Sequence, residues 1–202
     1  MAALSLERLD AGIAIWHDRG CPDDFHNARY TRLEPYRQEG LSTLWGPCIR
    51  VLSGWKALRP SSKHEIRARG ARIMDRLSYS YNQVRLIAER GDFTTCSWPD
   101  LDDLFTRAAD VKGVRSPVFA SKLCHLLFPR LFPVIDRAVI GIPAEGYRGY
   151  WLRCRQAWID SLERECLIAR LGAEIGESVL PSYPWATKIT ELCSIGARVS
   201  GR

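Results

Sequence analysis

The sequence predicts an all-α fold, and three observations carry that reading. Apolar residues recur with helical period in almost every segment, no alternating apolar/polar run of strand length is present, and helix start and stop residues punctuate the chain. At 202 residues, a single compact helical domain over 1–202, or two closely packed lobes, is expected. A hydrophobic fraction of 46% is enough for a real core.

The elements follow in order. Ser5 can cap a helix that places Leu6, Leu9, Ile13 and Trp16 on one face, and Gly20 and Pro22 end it. Residues 23–40 are polar and interrupted by Pro35, so a short helix plus a loop is expected. Leu41 to Leu58 reads as a helix with Leu44, Trp45, Ile49, Leu52 and Trp55 inward, stopped at Arg59-Pro60. Ser62 to Glu65 has the capping-box pattern and opens a long basic helix with the stripe Ile66, Ile73, Leu77, Val84 and Ile87 or Leu86, ended by Gly91. Ser97-Trp98-Pro99-Asp100 starts a helix through Asp110. Tyr147 to Leu171 is expected to be one long helix, and Pro184 to Ile195 a short last one.

Charge and cysteine usage narrow the function classes. Lys and Arg number 29 against 23 Asp and Glu, a net charge of +6 carried mostly by arginine. A basic balance suits a polyanion, and the guanidinium fork suits phosphate; a basic protein with no nucleic-acid role fits the same balance. The seven cysteines are widely spaced, with no Cys-x-x-Cys, and the four histidines show no metal spacing. A disulfide framework and a zinc site are therefore not expected. Asp160, Glu163 and Glu165 are expected to face solvent. Asp100, Asp102 and Asp103 favour the macrodipole at a helix start, and no two-metal nuclease spacing occurs. No apolar run is long enough to span a membrane, and MAALSLERLDAG lacks a basic region followed by an apolar stretch. A cytoplasmic monomer without cofactor or metal is the expectation.

The most informative stretch is Val111 to Ile140, VKGVRSPVFASKLCHLLFPRLFPVIDRAVI. A turn is built on Gly113. Ser116 then Pro117 is a strong helix start, and that helix runs to Phe128 before Pro129. The Leu131–Ile135 loop delivers Asp136 to the start of a further helix. A carboxylate in such an apolar neighbourhood can stabilise a developing cation, whereas an ordinary N-cap uses the same residue for structure alone.

This layout resembles the catalytic core of the helix-hairpin-helix DNA glycosylases, in which a Leu-Pro-Gly-Val-Gly hairpin precedes a helix and then Pro-Val-Asp at the head of another. The resemblance covers about 30 residues: Lys112-Gly113-Val114-Arg115 for the hairpin, Pro117 to Phe128 for the helix, and Pro133-Val134-Ile135-Asp136 for the acidic element. Arg115 stands where the second hairpin glycine would be, and Ile135 is inserted before the aspartate. The family's bifunctional members carry a lysine at the start of the helix, near Pro117 here; the lysine of this helix is Lys122.

The resemblance implies a two-lobed helical bundle with an interlobe cleft, and a hairpin and catalytic core over residues 98–142. It implies double-stranded DNA as partner, a nucleotide rotated out of the duplex, and hydrolysis of its N-glycosidic bond, monofunctionally rather than with strand nicking. The base would be damaged or hypermodified, in repair or in antiviral defence. The iron–sulfur loop of the endonuclease III-like relatives is not expected, since its cysteine spacing is missing.

Within this reading Asp136 is the catalytic carboxylate. Lys122 is a second site residue that could attack the sugar, pair with Asp136 or hold a phosphate. His125, one turn beyond, could contact substrate, fix Asp136 or simply be a satisfied core histidine. Lys112, Gly113, Val114, Arg115 and Ser116 would anchor a phosphate, with Arg137 beside Asp136; a plain turn between two helices fits the hairpin equally. Trp45, Trp55, Tyr147, Tyr150 and Trp151 could wall a base pocket, although most tryptophans of this kind are core. The alternatives are a non-catalytic helical DNA-binding protein that keeps the hairpin for phosphate contact, and an α-helical interaction module.

Overall fold

The computed structural model describes residues 3–113, 115–136, 140, 145–176 and 178–198. Among these the secondary structure is wholly helical, in ten helices and no strand. They are α1 (Leu6–Asp18), α2 (Asn27–Glu39), α3 (Leu41–Gly54), α4 (Lys63–Arg72), α5 (Met74–Arg90), α6 (Pro99–Asp110), α7 (Pro117–Leu127), α8 (Gly146–Asp160), α9 (Arg164–Ile175) and α10 (Trp185–Gly196). No described helix is long and apolar enough to cross a membrane.

The start signals act as the sequence predicts. Ser5 accepts from Arg8 N, Ser116 accepts from Phe119 N, and Ser62 and Glu65 form a full capping box. Asp100 accepts from both the amide and the hydroxyl of Ser97 ahead of α6. Asp160, Glu163 and Glu165 are exposed.

Four boundaries differ, each for a local reason. Segment 23–40 is not a short helix plus loop, because α2 runs through Pro35. Burial of Tyr30 and Leu33 holds it, as do two tertiary bonds near its end: Arg37 donates to Leu126 O, and Tyr81 Oη donates to Arg37 O. These outweigh the one backbone bond proline removes. The helix from Leu41 stops at Gly54 instead of Leu58, since Lys56 adopts a left-handed φ of 55° and turns the chain. The basic helix after Ser62 is two, broken at Ile73, whose amide bonds Gly70 O in a tighter turn. Tyr147 to Leu171 is also two helices. Ser161 breaks them: its ψ of 126° is extended, its hydroxyl accepts from Glu163 N, and Arg164 Nε donates to its carbonyl. Along the stripes, Leu6 and Leu86 are exposed, while Gly12 lies on the buried face of α1 and Ile87 packs on the core.

The helices pack in two groups. The first joins the ends of the chain: α1 lies along α10, with α8 and α9 beside them. This approach depends on glycine. A methyl on Gly12 would sit 2.1 Å from Leu192 O, and one on Gly196 would sit 2.1 Å from Arg8 O. The second group is α2 to α7, in which α6 and α7 pack together across the turn at 111–116 and α3 lies against α2, α4, α5 and α7. Trp45 belongs to this core, its ring lying where a Gly70 side chain would be. Helix α7 touches both groups.

Candidate functional site

Residues Leu131 to Ile135 form a segment without helix or strand, and it is buried throughout. A buried segment of this kind must find a partner for every backbone carbonyl, or each unmade bond costs about 1–3 kcal/mol. Side chains supply these partners one by one. Trp151 Nε1 donates to Leu131 O at 2.8 Å, and His125 Nδ1 meets Phe132 O at 2.6 Å. Tyr147 Oη donates to Pro133 O at 2.7 Å, Tyr150 Oη to Val134 O at 3.2 Å, and Ser121 Oγ to Ile135 O at 3.5 Å. The Ile135 amide donates back to Ser121 Oγ at 3.3 Å. Pro133 has no N–H to satisfy, which removes one demand.

Three aromatic residues of α8 expected as pocket walls are therefore clamps. Tyr147, Tyr150 and Trp151 are buried and hold the segment from one side. His125 is wholly buried and holds it from α7. Burial and the nearby Lys188 keep the His125 imidazole well below its ordinary pKa, so the ring is neutral. With Nδ1–H spent on Phe132, its Nε2 accepts from Tyr30 Oη.

The clamped segment ends on Asp136. Helix α7 is almost entirely buried, and Lys122 is part of that buried surface. Its Nζ donates to Asp136 Oδ2 at 2.7 Å. The side chains are 11% and 35% exposed, so the lysine is shielded while the carboxylate is half-buried. Neighbouring pairs keep register between helix and segment: Ser121 with Ile135, Lys122 with Asp136, His125 with Phe132. Asp136 O accepts from Ile140 N at 2.7 Å. The expected helix after Asp136, Arg137 and Val114 lie outside the described residues.

The ion pair stands between two hollows. An inner chamber of about 280 Å³ is lined by apolar Ile15, Trp16, Pro22, Trp55, Val134 and Ile195 together with His26, Arg29, Glu191, Lys122 and Asp136. An outer groove of about 1020 Å³ runs over Lys56, Arg59, Arg69, Lys112, Arg115, Ser116 and Pro117 to the same Lys122 and Asp136, with Glu65 as its other acid. Trp55, Lys56, Lys122 and Asp136 border both. The inner chamber draws its walls from both helix groups.

The turn at 111–116 is braced from behind. Lys112 Nζ donates to Ala57 O at 2.9 Å and also to Arg59 O. Burial first, and Lys122 second, lower its pKa. Arg69 donates to Lys112 O, and its guanidinium covers Gly113, whose φ of 78° suits glycine. Lys112 thus ties the turn to residues 57–59. Arg115 is the open cation here, 78% exposed and 3.2 Å from Asp110 Oδ1.

Beside Trp55, which the sequence placed among the pocket walls, the inner chamber holds groups that the sequence reading passed over. Trp16 Nε1 donates to Pro22 O, and the ring stacks on Phe25. Trp55 Nε1 donates to His26 Nε2 at 3.1 Å, with the Arg29 guanidinium 5.3 Å from the Trp55 ring centre. Burial and four neighbouring cationic or imidazole groups hold His26 well below its ordinary pKa. The neutral ring, accepting at Nε2, carries its proton on Nδ1, and that buried atom has no hydrogen-bond partner. Among the described residues, Phe25, His26 and Lys56 are the non-glycines with positive φ, and His26 and Lys56 line this chamber. Strain of this kind collects at functional sites. On α10, Lys188 Nζ donates to Glu191 Oε2 at 2.8 Å and lies 4.8 Å from the Trp16 ring centre. Burial raises the Glu191 carboxyl, and Lys188 opposes that rise. The signal was available: WATKITELCSIG carries one Lys and one Glu, three apart, in an otherwise uncharged helix.

Among the described residues no three His, Cys, Asp or Glu side chains group as a metal site. The chain matches no family model, no curated protein and no solved structure.

Proposed function

We propose that this protein is a DNA glycosylase of the helix-hairpin-helix kind, which extrudes a nucleotide and hydrolyses its N-glycosidic bond. One observation carries the reading: a basic groove joins an aromatic-walled chamber, and the Asp136 carboxylate sits at the junction. The three parts of a nucleotide match the three parts of the site. Phosphates meet Arg59, Arg69 and Arg115 along the groove. The base enters the chamber between Trp16 and Trp55. The deoxyribose is left beside Asp136.

The chemistry follows from that placement. The bond from C1′ to the base nitrogen breaks, and the base leaves with its electron pair. The oxocarbenium-like sugar is stabilised by the carboxylate facing it. Water adds to C1′ and gives its proton to Asp136, leaving an abasic site. Lys122 holds the carboxylate in place as an ammonium. That role favours hydrolysis over Schiff-base formation, because Nζ is spent on the carboxylate. The clamps from Tyr147, Tyr150, Trp151 and His125 fix Asp136 from behind, as a preorganised site requires.

The test is incubation with duplexes carrying a panel of damaged and hypermodified bases, followed by abasic-site detection with and without alkali. Base release before strand breakage supports the reading. A second reading, a DNA-binding protein without catalysis, draws on the Lys122–Asp136 pair itself, since a carboxylate spent on an ammonium serves structure alone. Salt-sensitive duplex binding with no base release from any member of the panel would favour it.

A further inference from the structure

We infer that the inner chamber selects a base carrying an exocyclic amino group, with Glu191 accepting from the amino N–H and His26 Nδ1 donating to the adjacent ring acceptor. The inference deepens the proposed function and rests on it for the nature of the ligand.

Three features of the chamber carry it. The first is composition: the aromatic side chains of Trp16 and Trp55 both line the chamber, as suits a heteroaromatic guest. The second is an acceptor. Glu191 lines the chamber and is buried, and Lys188, fully buried, supplies its countercharge at 2.8 Å. Lys188 occupies Oε2, and Oε1 is the acceptor that a guest in the chamber meets. The third is a donor. His26 Nδ1 is a buried N–H without an acceptor, on a ring that also lines the chamber and is anchored at Nε2 by Trp55.

An acceptor and a donor on two residues that line one chamber describe the edge of a complementary guest. Cytosine offers its 4-amino group beside N3, and adenine its 6-amino group beside N1; a carboxylate accepting from the cytosine amino group is a familiar pairing. Uracil and thymine offer N3–H between two carbonyls, so one carboxylate oxygen would meet a carbonyl oxygen. A site built this way rejects such an analogue because its own polar groups are left unpaired.

The experiment measures quenching of intrinsic tryptophan fluorescence by free deoxynucleosides, which does not require excision. Deoxycytidine or deoxyadenosine should bind at least about tenfold more tightly than deoxyuridine or thymidine, or about 1.4 kcal/mol. Glu191→Gln, whose amide can present either a carbonyl or an N–H₂, should reduce that ratio to below about threefold. His26→Phe should weaken the amino-bearing nucleosides and leave the others unchanged. If Glu191→Gln fails to fold around Lys188, the pair Lys188→Met with Glu191→Gln removes both charges and carries the same expectation, with folding checked by circular dichroism. Wild-type protein that binds all four alike, or none at millimolar concentration, overturns the inference, as does a preference that survives in the Gln variants. Base release from DNA without this discrimination would leave the proposed function standing and refute this inference. Discrimination without base release would do the reverse.

Discussion

Lys122 Nζ lies 2.7 Å from Asp136 Oδ2, joining a buried helix to the end of a buried segment at the one border the two hollows share. The relation is asymmetric. The lysine is enclosed and the carboxylate is partly open. Losing Asp136 strands an enclosed ammonium, whereas losing Lys122 leaves a carboxylate that solvent still reaches.

Lys122→Met is expected to cost about 1–2 kcal/mol, below the 3–5 kcal/mol of a fully enclosed pair, because Asp136 can still reach water. Borohydride should trap little covalent adduct between the wild-type protein and abasic DNA. Efficient trapping that disappears in the Met variant would make Lys122 a nucleophile and contradict its role as Asp136's counter-ion.

The clamps on 131–135 should act separately. Tyr147→Phe and Trp151→Phe each leave one buried carbonyl without its donor, which costs about 1–3 kcal/mol in urea unfolding. Base release should fall further than stability alone accounts for, since Asp136 is displaced. Unchanged unfolding midpoints would mean that water reaches these carbonyls and that the aromatic residues only fill space.

The all-helical class, the caps at Ser5, Ser62 and Ser116 and the turn at Gly113 were legible because each depends on residues a few positions apart. Asp136 and Lys122 were legible as one acid and one cation in apolar surroundings, fourteen positions apart. Their pairing was one of several roles weighed for Lys122. The work of Tyr147, Tyr150 and Trp151 was not legible, because aromatic residues suit a pocket wall and a core alike, and only the position of carbonyls on another segment decides between them. Lys112 looked like a phosphate contact for the same reason: the carbonyls of Ala57 and Arg59 that take its ammonium lie on a remote stretch of chain. The continuity through Pro35 was decided by tertiary bonds that no local pattern encodes, whereas the break at Ser161 is held by local bonds from Glu163 and Arg164 that the apolar periodicity masked.

Gly12→Ala should be destabilising although alanine is the better helix former. Its methyl would lie 2.1 Å from Leu192 O, so α1 and α10 must move apart. A loss of about 2 kcal/mol or more is expected, since overpacking against backbone is not relieved by a rotamer change. Trp16 and Glu191, carried by these two helices, should shift with them, weakening quenching of tryptophan fluorescence by nucleosides. An equal or higher melting temperature would contradict the close approach.

Acidification below neutral pH should destabilise the fold. His26 and His125 are both buried and held well below their ordinary pKa, chiefly by burial. The unfolded chain therefore binds more protons, and stability falls as pH drops through about 6.5 toward the folded values. Each histidine contributes a slope of up to about 1.4 kcal/mol per pH unit in that window. Glu191, raised chiefly by burial, works the other way just above its ordinary value, with one proton against two. Net proton uptake on unfolding between pH 5 and 6, read from the change in melting temperature with pH, checks this. A melting temperature that rises on acidification across that range would contradict it.

The catalytic role of Asp136 is tested most directly by base release in Asp136→Asn. Asparagine keeps the size of the side chain and can still accept from Lys122, so the fold and duplex binding should persist. What it removes is the negative charge facing the sugar. Loss of such a contact typically costs on the order of a hundredfold or more in rate. Asp136→Asn is expected to fold, to bind duplex DNA at least as tightly as the parent and to release base at least about a hundredfold more slowly. A folded variant that releases base at the parent rate would remove Asp136 from the chemistry.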